Sequence, residues 1–326
     1  MESALIDELE AFATGTLGFD LVGIAAVSPL PGGERLTRWV ATGAAAAMTH
    51  LGETAEVRAD PGRFLAGARS VVCVAMSYHD RSEAAELAAR DDHVVIARYA
   101  RRADYHKVIK RRLTRLGRWL AARAPGTRWR TAVDTAPVLE RELSCQAGLG
   151  WIGKNTCLVN RRLGSELLLG ELVTDVELPP GEAQRDHCGA CTACLDACPT
   201  GALAGPHFLD CRRCIAYLTL EQRDELPPEL IPSLGAHLAG CDICQAVCPW
   251  NRRARPSCAR PLATRPPLAS LSFAALRLLD EEGWRGLAAG TPLRRLGFSR
   301  FRRNLDAIAA NFADNEAART LIFRTP

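Results

Sequence analysis

The chain has 326 residues, 48% of them hydrophobic and 6% aromatic, and a formal net charge of +4. That length supports a large core and roughly two or three modules. No stretch approaches the roughly 18 uninterrupted apolar residues of a membrane span. The opening MESALIDELEAF has neither a basic n-region nor an apolar h-region, so export is not expected either. Cysteines without such a signal point to a reducing cytoplasm rather than a disulfide framework.

In chain order, residues 1–17 predict a helix and Leu21–Val27 an apolar strand. Ser70–Tyr78, nearly continuous in apolar and β-branched residues, predicts a strand buried on both faces. Residues 98–130 hold 12 Lys/Arg against one acid, Asp104. Within them Ile109, Leu113, Leu116 and Leu120 recur at helical spacing, so Lys107, Lys110, Arg111, Arg115 and Arg118 project mostly to the other side. A second basic stretch, 251–303, holds 12 Lys/Arg against three acids. Either stretch alone reads equally well as a solvated face. Together, in a chain of modest net charge, they favour a polyanion partner, most simply nucleic acid. Trp119 and Trp129 read as packing residues rather than base-stacking platforms.

A short strand near Thr131–Asp134 and a helix over Pro137–Ala147 come next, with Pro in the first turn. Asp134 falls at this strand-to-helix edge. A buried carboxyl there would have a raised pKa and serve as a general acid; the alternative is a cap for the following helix. Gly148-x-Gly150-x-x-Gly153-Lys154 follows a helix rather than a strand and lacks Ser/Thr after the lysine, so nucleotide binding is rejected. Strands near Thr156–Asn160 and Glu166–Val176 follow, and Pro179-Pro180-Gly181 marks a boundary. After Pro266-Pro267 the pattern turns helical, over Phe273–Leu279 and Leu293–Phe312.

Seven of the 13 cysteines form two runs, Cys188-x2-Cys191-x2-Cys194-x3-Cys198-Pro199 and Cys241-x2-Cys244-x3-Cys248-Pro249. This is the spacing of bacterial ferredoxins, in which the cysteine before proline crosses to the other 4Fe–4S cluster. On that logic Cys188, Cys191, Cys194 and Cys248 hold one cluster, and Cys198, Cys241 and Cys244 hold three corners of a second. Either Cys211 or Cys214 supplies the fourth; spacing does not choose. Zinc sites use separated Cys pairs rather than interleaved runs ending in Cys-Pro. The chain therefore reads as a carrier of two clusters that moves electrons.

Four separated strings occur in the order of one family. They are Ala97-Arg98-Tyr99-Ala100 with Asp104-Tyr105-His106-Lys107, then Val133-Asp134-Thr135-Ala136-Pro137-Val138-Leu139-Glu140-Arg141 running on to Ala147-Gly148-Leu149-Gly150-Trp151-Ile152-Gly153-Lys154-Asn155-Thr156. Arg213-Cys214-Ile215-Ala216-Tyr217-Leu218-Thr219 and Gly240-Cys241-Asp242-Ile243-Cys244-Gln245 through Asn251 complete them. On these the chain resembles the epoxyqueuosine reductases, from near the N-terminus to about Asn251. The resemblance implies reduction of epoxyqueuosine to queuosine at the wobble position of tRNA, with cobalamin and two 4Fe–4S clusters as cofactors. It implies Cys214 in the second cluster and Asp134 as proton donor. It also implies cobalamin contacts from Arg58, Asp134, Lys154, Asn155 and Ser165, with Lys107, Lys110, Arg111 and Arg115 on the tRNA. A surface ion pair with Asp60 or Glu56 explains Arg58 as well, and Lys154 could instead cap a helix. The chain has no Asp-x-His-x-x-Gly motif, so a histidine-ligated cobalamin is not expected.

The implied fold is α+β. A nitroreductase-like cobalamin-binding core occupies residues 1–178, a ferredoxin-like double-cluster module 179–258, and a short HEAT-like helical region 259–326. The expected partners are a tRNA with a queuosine-type anticodon and an electron donor, acting on a monomer in the cytoplasm. The readings from other classes are a dehalogenase-like cobalamin reductase and a plain ferredoxin-type carrier. The first would usually carry an export signal, and the second leaves the long segment before the cysteines unexplained. Arg102, where the family usually has glycine, and Glu166-Leu167-Leu168, in place of a more aromatic stretch, depart from the pattern. Cys73, Cys145, Cys157, Cys211 and Cys258 are left as buried structural thiols.

Overall fold

The computed structural model describes residues 2–80, 94–257 and 272–322, with Leu262, Arg265 and Leu268 between the last two segments. Its centre is a sheet of strands β1 (Leu21–Ala26), β2 (Ser70–Ser77), β3 (Trp129–Ala132) and β4 (Leu167–Thr174). They run antiparallel in the order β1-β2-β4-β3. Every residue of β2 is buried. Side chains alternate across a strand, so Val72, Val74 and Met76 meet the helix Tyr105–Arg123, while Val71, Cys73 and Ala75 meet the helix Glu140–Gln146. Helices on both faces are why this antiparallel strand reads as one continuous apolar run.

The helix Tyr105–Arg123 buries Ile109, Leu113, Leu116 and Leu120, as their spacing predicts. It lies so close to β4 that a Cβ on Gly170 would fall 2.5 Å from the Ile109 Cγ2. Asp104 caps its start by accepting the His106 N–H at 3.2 Å. The N-terminal helix is Glu2–Ala11, prolonged by a π turn over Phe12–Thr16.

In the cysteine-rich segment the two runs fold as duplicates. Thr192 (φ −121°, ψ 5°) leads the short helix Ala193–Asp196, and Asp242 (φ −113°, ψ 5°) leads Ile243–Ala246. The C-terminal helices are Phe273–Arg277, Glu281–Ala288 and Gly297–Ile322. The middle one was not expected from the pattern; Asp280 caps it at Gly283 N–H, 2.8 Å away. These helices share their core with distant chain: Trp284, Phe301, Leu305 and Ile308 pack with Ile96, Ala100, Leu238 and Ala239. There Val95–Ile96 pairs in parallel with His237–Ala239. Asn304 ties this core together, donating to the carbonyls of Thr219 (2.9 Å) and Leu238 (2.7 Å). Among the described residues no helix is long and apolar enough to cross a membrane.

Candidate active site

The cysteines sort into two neighbourhoods. Burial pushes the Cys194 and Cys248 thiols up; Cys194 then feels Cys248 and Cys188, and Cys248 feels Cys188 and Cys191. Burial likewise raises Cys214, which feels Cys198, and Cys241, pushed to about 12, which feels Cys214 and Cys198. Cys244 is raised by burial and by Cys157, Cys241 and Cys214. Around Cys198 burial is outweighed by backbone N–H groups of Leu203, Ala202 and Thr200, which favour the thiolate; the Thr200 hydroxyl lies 3.6 Å away. Backbone N–H groups of Tyr217 and Ala216 likewise point at Cys214. Cys211, the other candidate left by spacing, packs in the core with Ile215, Leu218 and Leu230, and burial pushes it to about 12.

Beside these sulfurs a cavity of about 260 Å³ opens between the sheet and the cysteine-rich segment. Leu158, Leu167, Leu168 and Leu169 give it an apolar wall; Tyr78, Tyr99, Tyr105, Arg141, Ser165 and Gln245 supply polar edges. Cys157 lines it too, and burial pushes this thiol to about 11, with Cys248, Cys214 and Cys194 nearby. Composition gave no hint that this leftover cysteine stands between the cavity and both thiol groups.

Asp134 enters the cavity from the loop after β3. Its backbone is left-handed, φ 50°, a conformation that non-glycine residues rarely adopt. The helix expected from Pro137 starts only at Glu140, capped by Leu139, so Asp134 is not its cap. The Glu140 carboxylate reaches back to accept the Asp134 backbone N–H. Burial and the Asp134 charge push the Glu140 carboxyl up, partly offset by Arg141 and Arg58. Asp134 itself corrects an expectation, because its pKa is lowered rather than raised. Desolvation pushes it up, but His106 at 2.8 Å, Arg295 at 3.4 Å and a hydrogen bond from Tyr105 outweigh that. His106 was quoted only inside a string, and Arg295 only within a basic stretch.

The other expected site residues fall in several places. Ser165 lines the cavity and bonds to Gln245 (3.1 Å) and to Asn251, which donates to it at 3.0 Å. Arg58 is buried behind the Asp134 loop rather than paired at the surface; it donates to Thr54 Oγ1 at 2.9 Å and feels Glu140 and Asp134. Lys154 is turned to the first cysteine run, donating to the carbonyls of Gly189 (2.6 Å) and Cys191 (2.9 Å). Asn155 supports the loop to Cys157, whose N–H it accepts at 3.2 Å. Neither lysine nor asparagine is among the cavity-lining residues. Lys107, Lys110, Arg111 and Arg115 are exposed along one helix face that begins beside His106. Cys258 lies outside the described residues.

The chain is similar to known proteins. The family model described as "Epoxyqueuosine reductase QueG, DUF1730" matches residues 58–135, and "4Fe-4S double cluster binding domain" matches residues 187–251. An epoxyqueuosine reductase of Pseudomonas aeruginosa is 43% identical over 291 residues, 89% of this chain and 81% of that protein. One of Escherichia coli K12 is 35% identical over 307 residues, 94% of this chain and 81% of that one. A solved epoxyqueuosine reductase holding an epoxyqueuosine-modified tRNA-Tyr stem loop is similar at a TM-score of 0.87 and 28% identity, over 97% of this chain and 84% of that one. The Streptococcus thermophilus enzyme gives 0.85 at 26% identity, over 99% and 85%.

Proposed function

The chain belongs to the epoxyqueuosine reductase family, a family of oxidoreductases, and from that premise we propose that it reduces epoxyqueuosine to queuosine at the wobble position of tRNA. The observation that carries this reading is one cavity lined by both Asp134 and Gln245, which follows Cys244 in the chain.

The residues present fit the cofactors. Cys188, Cys191, Cys194 and Cys248 are assigned to one cluster and Cys198, Cys214, Cys241 and Cys244 to the other, and backbone N–H donors turn to sulfur in each set. Such sets suit 4Fe–4S clusters, whose potentials follow these hydrogen bonds. At about 260 Å³ the cavity takes only part of a cobalamin, which we assign there with the leucine wall against the macrocycle and Ser165, Gln245 and Arg141 at its amide margin. When bound, clusters and cobalamin supply the electrons that break the epoxide C–O bond.

The chain's own residues do the rest. Asp134 protonates the departing oxygen, because an alkoxide leaves poorly even from a strained ring. Glu140 and Arg58 hold the Asp134 loop in place. The exposed lysines and arginines from Lys107 to Arg115 grip anticodon-stem phosphates, which brings the modified base toward Asp134. The sheet and its two helical layers form the cobalamin-binding core of nitroreductase-like type (1–178). The cluster module (179–258) and the helical region (259–326) complete a cytoplasmic monomer fed by a separate electron donor. A plain electron carrier has no use for Asp134 or the basic face, and a dehalogenase-like reductase none for the basic face.

The test is nucleoside mass spectrometry after anaerobic incubation of epoxyqueuosine-bearing stem-loop RNA with cluster-loaded protein, cobalamin and a strong reductant. Loss of one oxygen, dependent on cobalamin, is the expected result. No conversion by fully loaded protein would overturn the reading.

A further inference from the structure

His106 lies between two carboxylates. Its Nδ1 is 2.8 Å from Asp104 Oδ1 and its Nε2 is 2.8 Å from Asp134 Oδ2. The ring stacks on Tyr105 with centroids 4.0 Å apart. Asp104 is fixed in turn by capping the helix through the His106 N–H. Two carboxylate oxygens facing two ring nitrogens are both hydrogen-bonded only when the array carries two protons. In one arrangement an imidazolium sits between two carboxylates. In the other the ring is neutral, Nδ1–H donates to Asp104, and a protonated Asp134 donates to Nε2. The two differ by one proton moving along the Nε2···Oδ2 contact.

We propose that His106, backed by Asp104, stores the proton that Asp134 hands to the substrate, so that Asp134 relays rather than holds it. Neither His106 nor Asp104 touches the epoxide; both act through Asp134. The proposal rests on the epoxide-reductase reading and adds where its acid comes from.

The bookkeeping of the reaction fits such a store. Epoxide to alkene consumes two electrons and two protons and releases one water. The electrons come from the reduced cofactors. As the C–O bond breaks, the Asp134 O–H bond breaks and an O–H bond forms on the departing oxygen. With Nε2 now unprotonated, the array has passed from a net charge of −1 to −2. Arg295, 3.4 Å from Asp134, offsets the added charge. Asp134 has an exposed edge, through which a solvent proton restores the array before the second is needed.

Other groups bear on this array. Glu140, Arg58, Tyr99, Tyr105 and Arg295 face Asp134 from the neighbouring helices and loops. Glu140 is the competing store, since it meets the Asp134 backbone and its carboxyl is raised by burial. Geometry favours His106, because its Nε2 meets the Asp134 carboxylate directly whereas Glu140 meets only the backbone N–H.

Two measurements decide. The first is the pH profile of single-turnover conversion in wild type, His106→Gln and Glu140→Gln. His106→Gln is expected to lower the rate by about 10²–10⁴-fold with RNA affinity unchanged. Its residual activity should be confined to acid pH, where Asp134 protonates itself. A wild-type profile in His106→Gln, or an acid-confined profile in Glu140→Gln alone, overturns the proposal. The second is the ¹⁵N NMR spectrum of the His106 ring in cluster-loaded, oxidised protein. The Nδ1 resonance should move in Asp104→Asn and the Nε2 resonance in Asp134→Asn, because each nitrogen loses its carboxylate partner. Unchanged resonances overturn the array, whether or not any RNA is converted. Wild type that converts no epoxyqueuosine while showing the NMR shifts would sink the functional reading and leave the array standing.

Discussion

Asp134 combines a strained backbone with a carboxyl that its neighbours keep ionised. Asparagine tolerates left-handed φ better than most residues, so Asp134→Asn removes the acid with little backbone penalty. It should cut turnover at least about 100-fold, while iron content and cobalamin absorbance stay at wild-type levels; near-normal turnover would refute its role. The position of Asp134 at a strand end was legible in the sequence, but its ionisation was not. The partners that set it stand 28 residues before and 161 residues after it. The same holds for Cys211 and Cys214, three apart and equal by spacing, one turned into a core and the other toward Cys198. Cys214→Ala should lose about half the bound iron, and Cys211→Ser should keep it all. Glu171 offers a pH test. It is fully buried, neither carboxyl oxygen has a hydrogen-bond partner among the described residues, and burial, then Glu140 and Asp134, push it well above 4.5. A folded pKa above the unfolded one means stability is complete below pH 4.5 and is lost as pH climbs toward the folded value. Glu171→Gln should therefore match wild type near that pH and gain melting temperature over it as pH rises from there; a gap that ignores pH would show Glu171 paired.

At the level of single elements, the helix Tyr105–Arg123 carries two assignments at once. Its apolar face, fully legible from periodicity, packs on the sheet, and its N-terminal turn delivers Tyr105 to the cavity and His106 to Asp134. Its basic face then leads away from the site along Lys107, Lys110, Arg111 and Arg115. None of these four is in an ion pair with a described residue, so they are available to phosphates. Replacing all four by Gln should weaken stem-loop binding and make the slope of log affinity against log salt shallower by up to about 3. Unchanged salt dependence would move the RNA to another face. The helix after Asp134 was harder to read. Proline at 137 marks a usual first turn, yet the helix starts at Glu140, whose carboxylate is engaged with the Asp134 backbone. A contact of this kind leaves no periodic trace.

For the whole molecule, the cysteine runs announced electron transfer, whereas the way the segments interlock was not legible. The C-terminal helices looked like an appended RNA-binding region. Instead, Trp284, Phe301 and Leu305 complete a core with Ile96 and Leu238, and Arg295 reaches Asp134. A chain ending before Phe273 should thus be insoluble or melt far below wild type, rather than merely bind RNA less well; a stable, soluble truncation would show the region to be dispensable. The parallel pairing of Val95–Ile96 with His237–Ala239 carries a further consequence for how this protein is made. Strand Val95–Ile96 emerges from the ribosome long before its partner and before Ile308, the far edge of the same core. At the usual 5–20 residues per second, that apolar edge waits roughly 10–40 s for its cover. All the cysteines of both thiol sets appear within that interval, before the core can close.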